Sequence, residues 1–163
     1  MTGKSAPTGG SAAVGAASLD HVGLVVPDLD QAVAFFSEVF GARLVFRMDR
    51  FIDPTGAAPR RLGAKPGSGF ALAMLAWGDH ELELLEWWPG DEDRGSEPDA
   101  VGTAHVAVGV PDVSAALDVL RSVPGVEIIG EPVTFTEGPT PGLTNAFARA
   151  PWGLLIELMQ WPA

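Results

Sequence analysis

Two histidines and two glutamates occupy equivalent positions of an internal repeat: His21, Glu83, His105 and Glu157. The 22-residue segments that begin at the two histidines match at eight positions without a gap. The two glutamates lie in the related closing segments LELLEW and IELMQW. Imidazole nitrogens and carboxylate oxygens are good ligands of divalent metal ions. Because the duplication offers a way to bring the four side chains together, we treat them as candidate ligands of one metal ion.

Each candidate ligand also has a purely structural interpretation. A single histidine on an apolar strand is more often a core or surface residue, but here two of the three histidines stand at equivalent positions of a repeat. The third, His80, falls in a predicted hairpin turn, where we expect it to be solvated. Glu157 lies in the apolar segment WGLLIELMQW, with no basic residue within seven positions. Unless an edge strand exposes this carboxylate to water, its burial is costly without a metal ion or another partner.

The predicted elements follow the order strand, helix and three further strands, and this order occurs twice. In each half a short apolar strand is followed by a Pro-Asp pair, Pro27–Asp28 or Pro111–Asp112, and then by apolar residues at helical spacing. We predict the α+β class, with a flexible leader (1–18), a first βαβββ module (19–88), a linker (89–103) and a second βαβββ module (104–162). Pseudo-twofold packing would place the two opening strands side by side, with the half-sheets curved around a shared cleft.

The composition excludes several classes of function. Cysteine is absent, which rules out disulfides, thiolate nucleophiles and cysteine-type zinc sites, and which fits a cytoplasmic protein. The net charge of −11, with only 10 basic residues, disfavours nucleic acid and anionic membrane surfaces as partners. No apolar run approaches the ~20 residues that a membrane span requires. We therefore expect a small-molecule substrate as the partner.

The donor set of the candidate site favours an open, catalytic metal ion. Two nitrogen and two oxygen ligands suit a six-coordinate ion of nickel, zinc, cobalt, manganese or iron that keeps two positions for water or substrate. A closed structural zinc site would more often use cysteine. Such an ion can polarise a carbonyl group and hold an enolate or alkoxide, or activate oxygen if it is iron. Glu83 or Glu157 could loosen from the ion and act as general base.

The duplicated βαβββ pattern, with the motifs HVGLVVPD, HVAVGVPD, LELLEW and IELMQW, resembles the vicinal oxygen chelate superfamily. This superfamily includes glyoxalase I, methylmalonyl-CoA epimerase, extradiol dioxygenases and the bleomycin- and fosfomycin-resistance proteins. The resemblance covers about residues 19–162 and implies the glyoxalase/bleomycin resistance/dihydroxybiphenyl dioxygenase fold. It also implies that His21, Glu83, His105 and Glu157 bind one divalent metal ion, and that the protein is a homodimer.

Departures from known subfamilies narrow the expected activity. Where glutathione-dependent glyoxalase I carries an arginine and an asparagine, this chain has Val25 and Trp87. No carboxylate occurs between Asp53 and Asp79, where methylmalonyl-CoA epimerase carries a further glutamate. Extradiol dioxygenases bind iron with two histidines and one glutamate, so the additional ligand Glu83 disfavours that activity. The leading hypothesis is a metal-dependent lyase or isomerase of glyoxalase type that works through a metal-stabilised enolate.

Aromatic residues crowd the two closing hairpins and predict an apolar cavity around the metal ion. Trp87 and Trp161 fall on the ligand-side faces of their strands, and Phe51 and Arg60 are further candidates for substrate contact. The alternative interpretations are core packing for the aromatic residues and a solvated loop for the arginine. The expected substrate is small and apolar and chelates the ion through oxygen. Two other functions stay open, an iron-dependent dioxygenase and a sequestering binding protein of the bleomycin-resistance type.

Overall fold

A computed structural model describes residues 20–89 and 104–162. The predicted leader, and all of the predicted linker except Pro89, lie outside these ranges. The strands are β1 (His21–Val25), β2 (Arg43–Phe51), β3 (Gly69–Trp77), β4 (His80–Trp88), β5 (His105–Gly109), β6 (Glu127–Thr134), β7 (Thr144–Arg149) and β8 (Leu155–Gln160). The helices are α1 (Leu29–Phe40), α2 (Ala57–Arg61) and α3 (Val113–Arg121). In the described ranges no helix combines the length and the apolar character that crossing a membrane would need.

The first helix of each module is capped by the predicted aspartate. The carboxylate of Asp28 accepts a hydrogen bond of 2.9 Å from the backbone N–H of Gln31. Asp112 accepts the equivalent bond of 3.0 Å from Ala115. Each cap satisfies an N–H group that the first helical turn leaves unpaired, which contributes about 1 kcal/mol. Gly41 ends α1 in the left-handed conformation, with φ at 71°, where glycine avoids the steric cost of a Cβ atom.

The strands form two four-stranded mixed sheets of the same topology. Their orders are β1–β4–β3–β2 and β5–β8–β7–β6. In each sheet the opening strand runs parallel to the closing strand of its module, and the other neighbours are antiparallel. This topology confirms the predicted α+β class and the duplicated βαβββ order. The expectation that the two opening strands lie side by side is wrong, because they lie at the edges of separate sheets. β4 and β8, which carry the glutamates, are internal strands.

Side chains of the internal strands β4 and β8 alternate between the two faces of each sheet, and only one of these faces is covered by α1 or α3. The residues that flank the two glutamates belong to the hydrophobic cores beneath α1 and α3: Leu82, Leu84, Ile156 and Leu158. Because successive side chains of a strand point to opposite faces, Glu83 and Glu157 project from the faces without helices. We call these two surfaces, one on each sheet, the ligand faces.

Each internal strand is also tied to the start of its helix. Glu86 Oε2 accepts a hydrogen bond of 2.8 Å from the backbone N–H of Leu29. Gln160 Oε1 accepts one of 2.9 Å from Val113. Both acceptors stand three residues after the glutamate of the ligand face, so the repeat extends to this contact. It fixes the strand that carries the glutamate relative to the capped helix.

The two modules pack against each other on their helix-covered sides. The ring of Trp152, in the turn between β7 and β8, meets Phe35 of α1 edge to face, with centroids 5.1 Å apart. Val39 and Phe40 of α1 contact the cores of both modules. A groove of about 420 Å³ lies between α1 and the end of α3, on the side away from the ligand faces. The contact between modules therefore uses the surfaces opposite the ligand faces.

Three elements differ from the sequence-based expectation. α2 forms within residues 49–69, where we expected only loop, and it follows a turn in which Asp53 Oδ1 accepts the N–H of Thr55 at 2.8 Å. β2 and β6 continue to Phe51 and Thr134, beyond the expected ends at residues 48 and 129. Both strands pass a shift in register, which lets pairing resume after an irregular residue. His80 begins β4 and is exposed, as predicted for a solvated residue.

Candidate functional site

The first module brings His21 and Glu83 together on its ligand face. β1 runs parallel to β4 in a register that pairs Gly23 with Glu83. His21 Nε2 then lies 3.6 Å from Glu83 Oε2, and the two side chains are 36% and 21% exposed. Both side chains are accessible from the side of the sheet that no helix covers.

The second module repeats this arrangement with His105 and Glu157. The parallel register of β5 and β8 pairs Ala107 with Glu157. His105 Nε2 lies 3.4 Å from Glu157 Oε2, with the side chains 52% and 15% exposed. Because β8 is an internal strand, the interpretation of Glu157 as an edge-strand residue facing water is excluded.

The two pairs do not form one group within a single copy of the chain. Among the described residues, no three histidine, aspartate or glutamate side chains are close enough together to hold a metal ion. Each copy therefore presents two half-sites, which we define as the pairs His21–Glu83 and His105–Glu157. That four ligands surround one ion stays a prediction.

The donor chemistry of each half-site nevertheless fits a divalent cation. Neither glutamate has a lysine or arginine within ion-pair distance in the described part of the chain. A partly buried carboxylate without a cationic partner is costly. The imidazole beside it, when neutral, offers a lone pair to a metal ion. Two such half-sites would supply the nitrogen and oxygen donors that zinc, nickel, cobalt, manganese and iron accept.

Asp20 orients the imidazole of His21. Its Oδ1 accepts a hydrogen bond of 2.7 Å from Nδ1 of the histidine, which leaves Nε2 facing Glu83. This hydrogen bond, together with the negative charge of Glu83, raises the pKa of His21 above its ordinary value. A metal ion needs the neutral imidazole, so protons and metal compete for this nitrogen. Asp20 was not among the candidate residues, although its place directly before the histidine is a signal that the sequence offers.

Asn145 contacts the glutamate of the second half-site. Its Nδ2 donates a hydrogen bond of 2.9 Å to Glu157 Oε1. The antiparallel pairing of β7 with β8 brings the two residues together across the sheet. No described residue donates an equivalent bond to Glu83. Asn145 was not predicted, because its position beside the glutamate depends on strand register, which composition and spacing do not reveal.

An aromatic row crosses the ligand face of the first sheet. Phe51, Phe70 and Trp87 stand on the adjacent strands β2, β3 and β4, with ring centroids 6.2 Å and 5.0 Å apart. Phe51 is 43% exposed. Trp87 alternates onto the same face of β4 as Glu83. The predicted contact residues Phe51 and Trp87 therefore share a surface with the first half-site.

The other two predicted contact residues, Trp161 and Arg60, are not bound to either half-site by a hydrogen bond or ion pair. Trp161 follows the end of β8 and is 56% exposed. Arg60 is exposed on α2, and its Nη2 donates a hydrogen bond of 3.2 Å to the carbonyl oxygen of Thr55. This bond holds the guanidinium on its own loop, in line with the alternative of a solvated arginine. Substrate contact by these two residues stays a prediction.

Exposed apolar side chains lie on both ligand faces. On the first ligand face, Val25 is 68% exposed, and Phe46, in line with Glu83 across the sheet, is 51% exposed. On the second, Val133 pairs with the strand position of Asn145 and is 51% exposed. Apolar surface around a polar centre is typical of an interface or a ligand cavity.

Comparison with known proteins identifies the family of the chain. Residues 18–158 match the family described as the Glyoxalase/Bleomycin resistance protein/Dioxygenase superfamily. A 2-epi-5-epi-valiolone epimerase from Actinomyces sp is 39% identical over 166 aligned positions, which cover 100% of this chain and 86% of that protein. A probable lactoylglutathione lyase from Vibrio cholerae is 31% identical over 147 positions, which cover 86% of this chain and 88% of that protein.

Solved structures agree with these sequence relatives. A glyoxalase family protein from Bacillus cereus matches with a TM-score of 0.69 and 25% identity, and the match covers 87% of this chain and 92% of that one. The same family is supported by the duplicated motifs, by the two sheets of equal topology and by the family match over both modules. The chain therefore belongs to the Glyoxalase/Bleomycin resistance protein/Dioxygenase superfamily, as the resemblance of its motifs predicted.

Proposed function

We propose that the chain is a divalent-metal-dependent isomerase, specifically an epimerase, that moves a proton at a carbon next to a carbonyl group. The observation that carries the proposal is the duplicated His–Glu pair, with Nε2–Oε2 distances of 3.6 Å and 3.4 Å. A relative that is 39% identical over the whole chain, and that is named an epimerase, supports the reaction type. The ion would be nickel, zinc, cobalt, manganese or iron.

The metal site forms between two copies of the chain. The first half-site of one copy faces the second half-site of its partner, so two histidines and two glutamates surround each ion. Support comes from the absence of a group of three candidate ligands among the described residues of one copy, and from the exposed apolar side chains on the ligand faces, such as Val25 and Phe46. A twofold dimer of this kind contains two equivalent sites.

The metal ion and the residues of the site have different roles in the reaction. A divalent ion held by the four ligands would polarise the substrate carbonyl and stabilise negative charge on its oxygen. Glu83 or Glu157 takes a proton from the adjacent carbon as general base. Return of a proton to the opposite face of that carbon gives the epimer. Once a substrate covers it, the aromatic row beside Glu83 would exclude water and so strengthen the electrostatic interactions of the site.

A small ketone with a neighbouring oxygen is the expected substrate class. The name of the epimerase relative denotes a ketone. Val25 and Trp87 stand where the resemblance to glutathione-dependent glyoxalase I implies an arginine and an asparagine that contact glutathione, so apolar side chains replace those contacts. Burying a carboxylate there unpaired would cost several kcal/mol. The hemithioacetal of glutathione and methylglyoxal should therefore be a poor substrate.

The test follows two compounds in D₂O by NMR. Protein loaded with Co²⁺, Ni²⁺ or Zn²⁺ is incubated with 2-epi-5-epi-valiolone and, separately, with the glutathione hemithioacetal. We expect deuterium at the carbon beside the ketone, formation of an epimer, and little lactoylglutathione. The double variant Glu83→Gln with Glu157→Gln is the control and should give neither product.

Other outcomes identify the competing functions. Rapid formation of lactoylglutathione would assign the activity that the name of the Vibrio cholerae relative denotes. Oxygen consumption with an iron-loaded protein would indicate a dioxygenase. Tight binding of a compound without any turnover would indicate sequestration. Each of these results contradicts the epimerase proposal.

A further inference from the structure

We propose that the two half-sites have unequal roles, in which Asn145 holds Glu157 as a fixed ligand and Glu83 exchanges the proton with the substrate. This assignment rests on the proposed function and deepens it. It makes Glu83 a catalytic residue and Asn145 a positioning residue that acts through Glu157. Two independent differences between the modules support it.

The first difference is the hydrogen bond to Glu157. Its Oε1 accepts the amide of Asn145 at 2.9 Å, and its Oε2 lies 3.4 Å from His105 Nε2. Both oxygens of this carboxylate, which is 15% exposed, are therefore engaged. A hydrogen bond to a charged acceptor is stronger than one between neutral groups. The carboxylate must break that bond before it can rotate, so it keeps one orientation.

Glu83 has no such restraint. In the described part of the chain its carboxylate makes an ion-pair contact with His21 alone and accepts no hydrogen bond from a side chain. Leu72 is the equivalent of Asn145 in the first sheet. Leu72 pairs with the residue two positions after Glu83, and Asn145 pairs with the residue two positions after Glu157. Leucine donates no hydrogen bond. Glu83 can therefore turn away from one orientation without losing a hydrogen bond.

The second difference lies on the opposite neighbouring strand. Gly23 pairs with Glu83, whereas Ala107 pairs with Glu157. A Cβ atom at Gly23 would lie 3.4 Å from Glu83 Oε2, so its absence leaves space directly beside the carboxylate. Gly23 does not adopt a positive φ, so the backbone does not require glycine there. The first module thus gives its glutamate room, and the second places a methyl group at the equivalent position.

These differences determine which carboxylate can reach a carbon atom. Glu83 accepts the proton from the carbon beside the carbonyl, and the electron pair of the broken C–H bond moves to the carbonyl oxygen. Water on the opposite face of the carbon then gives it a proton while the electron pair returns from the oxygen, and the protonated carboxyl group of Glu83 neutralises the hydroxide that is left. The step consumes no oxidant or reductant. Glu157 stays in place throughout and contributes its negative charge and its oxygen ligand.

The first experiment titrates metal-free protein with Co²⁺ alone and records affinity and visible spectrum. Asn145→Leu should weaken Co²⁺ binding about 10- to 100-fold and change the spectrum, because an outer hydrogen bond orients a metal ligand. In the Glu157→Ala background, which has no side-chain acceptor for Asn145, the same substitution should have no further effect, since the double-mutant cycle isolates the pair. Thr144→Val, next to Asn145 on β7, removes a 2.8 Å hydroxyl contact with Thr134 of β6. This matched control should change affinity by less than about twofold.

The second experiment separates proton transfer from metal binding. Gly23→Ala should keep Co²⁺ affinity within about twofold and lower kcat for 2-epi-5-epi-valiolone at least about 10-fold, because the added methyl group would lie 3.4 Å from Glu83 Oε2 and 3.5 Å from Leu85 Cδ1 and would narrow the space beside the carboxylate. Leu72→Asn gives Glu83 an amide neighbour and should lower kcat without weakening Co²⁺ binding. Ala107→Gly is the matched control in the other module and should leave kcat within about twofold.

The outcomes distinguish this assignment from the proposed function. If wild-type protein binds Co²⁺ and Asn145→Leu binds it equally well, or if the loss is the same in the Glu157→Ala background, Asn145 does not position the glutamate. If Gly23→Ala leaves kcat unchanged, Glu83 is not the mobile carboxylate. In both cases the metal-dependent function stands. Failure of the wild type to bind Co²⁺, or to turn over the ketone, overturns both proposals.

Discussion

Two variants that each lack one half-site should rebuild a metal site when they are combined in one dimer. One variant carries His21→Ala with Glu83→Gln, and the other carries His105→Ala with Glu157→Gln. If every ion lies between unlike half-sites of two copies, neither homodimer keeps an intact site. In the mixed dimer, the intact first half-site of one copy faces the intact second half-site of the other.

The expected magnitude follows from the number of half-sites. A twofold dimer contains two metal sites, and the mixed dimer restores one of them, so it should bind about half of the wild-type metal. Each homodimer retains two ligands per ion instead of four and should lose its metal. The replaced side chains project from the ligand faces, with exposures between 15% and 52%, so the hydrophobic cores are left intact.

The assay uses two affinity tags and tandem purification, which isolates only the mixed dimer. Elemental analysis after Co²⁺ loading and desalting measures bound metal, and circular dichroism checks the fold. Wild-type protein carrying both tags is the control. A mixed dimer with no more metal than its parents would refute the intermolecular site. Parent variants that keep about half of the wild-type metal would show instead that like modules face each other.

Three further measurements probe the fold and the first half-site. Leu84→Ala, at a fully buried position, should lower the free energy of unfolding by about 2–5 kcal/mol in urea titrations, and a loss below about 1 kcal/mol would contradict the described core. Asp28→Ala should lower it by about 1 kcal/mol because α1 loses its cap. Asp20→Asn should lower the pKa of His21 in an NMR titration, because the hydrogen bond from the imidazole to the Asp20 carboxylate stabilises the protonated imidazole and is lost in the variant. Asp118→Asn, on α3, is the control and should leave the pKa of His21 unchanged.

The parts of the fold that follow from local signals were predictable from the sequence. Asp28 and Asp112 cap their helices because a carboxylate placed before an apolar helical repeat meets the free N–H groups of the first turn. Gly41 ends α1 because glycine tolerates the left-handed conformation. Since these signals recur at equivalent positions of the repeat, they also predicted that the βαβββ order occurs twice.

The parts that depend on strand pairing were not predictable in the same way. β6 continues to Thr134 because pairing resumes after a register shift beyond Ile129, and no local residue pattern announces that shift. The contact between Asn145 and Glu157 depends on how β7 aligns with β8. Both residues are present in the sequence, but the sequence pattern does not predict the register that places them side by side on neighbouring strands.

The separation of the two half-sites follows from the same alternation that identified the glutamates. Because Leu82 and Leu84 must face the core beneath α1, Glu83 between them has to face away from the helix. The modules pack through that helix-covered side, where Phe35 meets Trp152. With the modules packed on that side, the two half-sites do not come together within one copy, so the proposed site with four ligands would need a second copy. A repeat thus predicts which residues are equivalent, whereas the side on which its modules pack decides whether equivalent residues meet within one chain or between two.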